Sequence, residues 1–221
     1  MTKLGVFLLG MTTAAACAGD LSKYRDFQLG TGLPAIVKQT GANLSQVKVI
    51  DRRPALIQEL DWFPQPLGPS SKTEPVKEVA FSFYDGKLYR IAVNYDRYET
   101  EGLAAGDFIE TISARYGAAT NPTGPSASEQ DSNGDREDVL ARWEDPLYRF
   151  DLTRSSYRPS FTLIAVDKTL DASAQAAIIE SKRLDDQEAP QRDAARKASE
   201  DEAAQAKLDK ARLVNKPNFR P

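Results

Sequence analysis

Apolar and polar residues alternate most strictly between Val79 and Tyr95. Val79, Phe81 and Phe83 alternate with Ala80 and Ser82; beyond Asp85-Gly86, Tyr89, Ile91, Val93 and Tyr95 alternate with Arg90, Ala92 and Asn94. A period of two with one apolar face predicts a β-hairpin. A two-residue Asp85-Gly86 turn would set Phe81 against Arg90 and Tyr89 against Ser82. A three-residue loop, Tyr84-Asp85-Gly86, sets Phe81 against Tyr89 and Val79 against Ile91. The continuous apolar face favours the longer loop, with Gly86 left-handed at a bulge.

The same reading extends along the chain. Tyr24 to Leu29 is a short strand with aromatic content. Gly30-Thr31-Gly32 opens a helix through Leu33, Ile36 and Val37, with Thr31 as cap and Gly41 as stop. Leu56 to Trp62 alternates as a half-buried strand, ended by Pro64, Pro66, Gly68 and Pro69. Phe108, Ile109, Ile112 and Tyr116 fall at helical spacing, and Gly117 stops that helix. Residues 120–138, rich in Pro, Ser, Gly and acid, read as a mobile loop. A three-stranded meander follows. Trp143 is set against Tyr148, Ala141 against Phe150 and Val139 against Leu152, and Phe161, Leu163 and Ala165 return on the same face.

The predicted order is β-α-β-β-β-α-β-β-β, an α+β domain over 19–167 with two helices on one face of an antiparallel sheet. An internal echo accompanies it. Ile36-Val37-Lys38-Gln39-Thr40-Gly41-Ala42 overlies Ile112-Ser113-Ala114-Arg115-Tyr116-Gly117-Ala118, and each copy is followed by a strand carrying one of the two tryptophans, Trp62 and Trp143. A C-terminal helix is predicted over 168–185. Pro190 interrupts it, and residues 186–221 form an Ala-rich tail of seven acids and eight bases, helical or disordered.

The amino terminus changes the picture most. Lys3, the apolar run Leu4 to Met11 and the small residues Thr12 to Ala18 form a three-part secretory signal over 1–18, with cleavage before Gly19. Ala15-Ala16-Cys17 also resembles the end of a lipobox, which would make Cys17 a lipid attachment point. The mature chain would then be periplasmic, secreted or lipid-anchored in the envelope, with no transmembrane helix. The 221 residues contain no histidine, and Cys17 is the single cysteine. The commonest general base and metal ligand are therefore missing, as are thiol chemistry and disulfides once the signal is removed. With pI near 5.2, the chain lacks the basic signature of a nucleic-acid binder.

Four patterns carry candidate chemistry. Asp131, Asn133 and Asp135 place oxygen ligands at alternate positions, as a calcium loop requires, but Arg136 stands where such a loop has its glycine. Ser45-Gln46-Val47-Lys48 has the Ser-x-x-Lys spacing of penicillin-recognising enzymes, without their companion motifs. Glu59, Asp61, Glu144 and Asp145 lie near the tryptophans, where a carboxylate pair could serve acid–base chemistry; the plainer reading is outward-facing strand and turn residues. Arg90, Arg142 and Arg149, with Arg52, Arg53, Arg97, Arg154 and Arg158, fall on or beside strands; several share the face opposite the core, a candidate binding face. Trp62 and Trp143 read as core before they read as ligand-site residues.

The stretch Tyr24 to Asp167 contains Phe81-Ser82-Phe83-Tyr84-Asp85-Gly86-Lys87-Leu88-Tyr89-Arg90-Ile91 and a helix closing on Tyr116-Gly117. It resembles uncharacterised exported bacterial proteins. It is more loosely similar to the SmpA/OmlA outer-membrane lipoproteins and to β-lactamase-inhibitor-like folds, in which a helix-then-sheet unit serves protein binding. That resemblance implies a noncatalytic module and assigns no functional residue. The expectation is a binding or envelope-structural module with a protein partner and no cofactor. The alternatives are an enzyme using carboxylates or Ser/Lys and a calcium-stabilised secreted domain.

Overall fold

The six strands that alternation predicts are all present in the computed structural model, which describes residues 19–64, 75–120, 129–130, 136–155, 160–218 and 220. The first predicted strand is instead a small hairpin of β1 (Lys23–Tyr24) and β2 (Phe27–Gln28). Tyr24 and Phe27 lie three apart, so a straight strand would point them to opposite faces. A turn with Arg25 at φ 53° brings both into the core.

The main sheet comprises β3 (Lys48–Asp51), β4 (Ile57–Trp62), β5 (Val76–Tyr84), β6 (Lys87–Tyr95), β7 (Glu129–Gln130), β8 (Arg136–Glu144), β9 (Tyr148–Ser155) and β10 (Phe161–Asp167). All neighbours are antiparallel, in the order β3-β4-β5-β6-β10-β9-β8-β7. The edge strands β3 and β7 are additions to the predicted order, and β7 with the start of β8 falls in the stretch read as loop.

Helices α1 (Leu33–Thr40) and α2 (Ala105–Tyr116) lie on one face of this sheet. Leu33 and Ile36 of α1 and Phe108, Ile112 and Tyr116 of α2 share one core with Phe81, Val93, Trp143, Phe150 and Leu163. Each fully buried large side chain contributes roughly 1.5–3 kcal/mol. The cap of α1 is Gly32, without a side-chain bond, rather than Thr31; Gly41 at φ 68° ends the helix as expected.

Two registers differ from expectation, each for a local reason. The β5–β6 hairpin turns on two residues, Asp85 at φ 46° and Gly86 at φ 75°, so Tyr84 pairs with Lys87 and Phe81 with Ile91, not Tyr89. This turn is clamped from both sides. Asp85 N–H donates to the Leu56 carbonyl at 2.9 Å, and Leu33 N–H to the Gly86 carbonyl at 2.8 Å. A bulge at Leu88-Tyr89 restores the apolar face and sends Tyr89 to the opposite side of the sheet from Phe81. In the meander, Asp145 Oδ1 accepts the N–H groups of Leu147 and Tyr148, both at 2.7 Å. Tyr148 is thereby held at the mouth of the turn as the first residue of β9, so Trp143 pairs with Phe150 and Ala141 with Leu152. A second bulge sets Val139 against Thr153.

On the other face lies α3 (Lys168–Asn215), a helix of 48 residues and about 72 Å. Asp167 caps it, accepting from Thr169 N–H and Leu170 N–H at 3.0 Å each. Its first turns pack Leu170, Ala174 and Ile178 on Ile57, Tyr84 and Tyr89. Ser181 then donates to Asp51 Oδ1 at 2.7 Å, and Arg53 bridges Asp185 and Glu188 at 3.1 and 2.6 Å. Pro190 does not end the helix. One backbone bond is lost there, and Arg192 donates to the neighbouring Asp185 carbonyl at 2.9 Å. Among the described residues no helix is long and apolar enough to cross a membrane.

The strand order is a palindrome. Two units, each a helix followed by four strands, meet edge to edge at β6 and β10. The midpoint of that seam is the Ala92–Ile164 pair. Stepping outward through the registers reaches Ala80 and then Asp61 on one side, Asp151 and then Arg142 on the other. Trp62 and Trp143 therefore occupy equivalent places, as the sequence echo of the two halves suggests.

Candidate functional site

Pairing registers assemble the sheet's outer face, the one carrying α3, into rows. One row runs Asp61, Ala80, Ala92, Ile164, Asp151, Arg142. The next runs Lys48, Glu59, Ser82, Arg90, Val166, Arg149, Glu144. Arg90, Arg142 and Arg149 thus share the face predicted for them. Arg90 and Arg149 flank Val166 in one row, and Arg142 stands diagonally beside Arg149.

Asp151 organises the arginines of the β8–β9 half. Its side chain is only 3 % exposed. Arg142 Nε and Nη2 donate to Oδ1 and Oδ2 at 2.6 and 3.1 Å, a two-pronged grip that suits a carboxylate. Arg149 Nε lies 2.9 Å from Oδ2, but its N–H is not aligned on that oxygen, so the contact is electrostatic. One buried carboxylate thus serves two cations. Sequence reading singled out the arginines and missed the aspartate. The available signal was alternation: Asp151 sits between Phe150 and Leu152, at a position facing away from the core.

Beside it, Thr162 Oγ1 donates to Asn94 Oδ1 at 2.9 Å and Asn94 Nδ2 to Glu78 Oε2 at 3.4 Å. Toward β4 and β5 the face thus carries Glu59, Asp61 and Glu78; toward β8 and β9 it carries Arg142 and Arg149 interleaved with Asp151 and Glu144.

Glu59 and Asp61 do come together on this face, with Lys48 Nζ at 2.6 Å from Asp61 Oδ2. Burial, and then the Asp61 carboxylate, raise Glu59 above the ordinary glutamate value. A carboxyl raised on folding binds its proton more tightly in the native state, so stability falls as pH rises through its titration. Glu59→Gln is expected to raise the melting temperature at neutral pH by about 1–2 °C. The difference should vanish near pH ~3, where both states hold the proton; a pH series of thermal melts measures it.

Lys48 is unsuited to deprotonate Ser45. Its hydrogen bond to Asp61 raises its pKa, the opposite of what a lysine base needs. Ser45 sits on an exposed 3₁₀ turn, Leu44–Gln46, before β3. Glu144 is bound by Lys168 Nζ at 2.8 Å, which holds its carboxyl below the usual range. Asp145 serves the β8–β9 turn. Both tryptophans are on the inner face. Trp143 is buried, donating to Ser113 Oγ at 3.2 Å and to the Gly117 carbonyl at 3.0 Å. Trp62 meets Phe27 edge-on at 5.5 Å. The calcium-loop residues Asp131, Asn133 and Asp135, and the lipidation candidate Cys17, lie outside the described residues.

No protein family matches the chain, and no curated protein or solved structure matches it.

Proposed function

We propose that this chain is an exported protein and that its mature body is a noncatalytic binding or envelope-structural module for a protein partner. The observation that carries this reading is the form of α3. Its first turns close part of the outer face and are latched to β3 and the segment after it through Asp51 and Arg53. Beyond Pro190 every described residue, 191–218, is exposed. About 37 Å of helix thus stands in solvent. Its ion pairs, such as Arg196 with Asp193 and Glu200, are exposed and contribute little each. A long polar helix anchored beside a charged sheet face offers a partner two adjoining surfaces. The leader read in residues 1–18 would deliver that module to the envelope.

Site-directed photo-crosslinking in the native envelope tests the reading. Probes at Glu144, on the outer face, and at Leu208, on the projecting helix, are expected to trap the same discrete protein. A probe at Lys38, exposed on α1, is expected to trap nothing. Identical adducts at Lys38, or no discrete adduct at Glu144 and Leu208, would overturn it. Amino-terminal analysis tests export separately: a start at Gly19 or an acylated Cys17 supports it, and retention of Met1 overturns it.

A further inference from the structure

We propose that the cleft between the β6–α2 connection and the β9–β10 end of the sheet binds a small organic anion, a carboxylate or phosphate carried on an apolar body. The cleft measures about 380 Å³ and is lined by the 97–105 segment together with Arg154 and Phe161. It lies on the side of the sheet that carries α1 and α2. It does not share residues with the Arg142–Asp151 face, so it stands or falls independently of the function proposed above.

Two cations converge here. Arg97 and Arg154 both line the cleft, and among the described residues neither takes a carboxylate partner. Acids outnumber bases in the chain, 32 to 29, and Arg53, Arg142 and Arg149 are all ion-paired. Among the lining residues two guanidinium groups stand against one carboxylate, that of Glu101, while Asp138 lies across the ladder from Arg154. Each lies over an aromatic ring, Arg97 over Tyr98 at 4.9 Å and Arg154 over Phe161 at 5.7 Å. A guanidinium held over a ring keeps N–H groups for an acceptor, and two such groups suit a carboxylate or phosphate.

The floor suits the rest of the ligand. Phe161 is buried and stacks on Phe108 at 4.2 Å, which in turn meets Tyr95 at 5.1 Å. Leu103 is 48 % exposed on the lining. Glu101 is the acid on the rim and disfavours a second negative group. The wall is built in advance. Asp96 Oδ1 accepts Tyr98 N–H at 2.8 Å, the Asp96 carbonyl accepts Thr100 N–H at 3.0 Å, and Leu103 N–H reaches the Thr100 carbonyl at 3.1 Å. Binding then needs little ordering of the loop.

The test titrates the full chain with phenyl phosphate, benzoate, inorganic phosphate and benzyl alcohol, following backbone amides by NMR. Phenyl phosphate and benzoate are expected to give saturable shifts at Leu103, Ala105 and Gly106. Inorganic phosphate should bind more weakly for want of the floor, and benzyl alcohol should not saturate. Arg97→Gln with Arg154→Gln should weaken phenyl phosphate about tenfold or more. Both side chains are exposed, so the double variant's spectrum should otherwise match the parent and report a folded chain. Failure of both aromatic anions to saturate, or undiminished binding by the folded double variant, would remove the site. Inorganic phosphate binding as tightly as phenyl phosphate would refute the apolar part of the ligand.

Discussion

Trp143→Ala is expected to lower the unfolding free energy by about 4 kcal/mol, measured by urea denaturation at constant slope. Trp143 is among the largest fully buried side chains, and its indole N–H is used twice, on Ser113 Oγ and on the Gly117 carbonyl. Truncation removes the packing and leaves the α2 carboxyl end without that donor. Trp62→Ala, at the equivalent place in the other half, should cost less. Trp62 is only partly buried, and its described contacts are with rings, Phe27 and Phe81. Equal losses at the two positions would show that the halves are energetic as well as topological equivalents.

Asp151→Ala is expected to cost about 3 kcal/mol in the same assay. The penalty comes from what remains. Arg142 and Arg149, side chains 22 % and 23 % exposed, would lose the buried carboxylate that both contact. Removing a charge pair together differs from removing one member. Asp151→Leu combined with Arg142→Met should therefore lose about half as much or less, since one cation leaves with the anion. If the double replacement is as damaging as Asp151→Ala, the carboxylate acts through something other than charge compensation.

Charge, more than hydrophobicity, would have settled the meander from sequence. The apolar pattern accepts both registers, because shifting the partner by two residues keeps every side chain on its face. The expected register, Trp143 with Tyr148, sets Arg142 directly against Arg149. The observed one sets Arg142 against Asp151 and Glu144 against Arg149. Like charges directly opposed are unfavourable, so the polar rows carried the missing information. The hairpin was illegible for a different reason. Its two-residue turn is held by Leu56 and Leu33, distant partners that no local pattern reveals. The side of the sheet chosen by α3 was equally hidden. Its contact residues include Ala174, Ala177 and Ser181, which a search for large apolar side chains passes over. The central strands, α1 and α2 were legible because their periodicity spans several turns or residue pairs with one face fully buried. Of the candidate face, the arginines were legible; Asp151 and the latch from Asp51 and Arg53 to α3 depended on register and tertiary packing.

The edge-to-edge seam of the two halves sets the route by which the chain can fold. Every other strand pairing described in the main sheet joins strands consecutive in sequence, so each half can zip from its own turns. Asn94 with Thr162 and Arg90 with Val166 are different, since they close only after α2 and the whole second meander lie between them. Loop-closure entropy places that union last, when two pre-assembled sheets have rows of backbone groups to offer. Until then β6 and β10 are open templates, and at high concentration β6 of one molecule can dock with β10 of another, an exchange that uses the same ladder as the monomer.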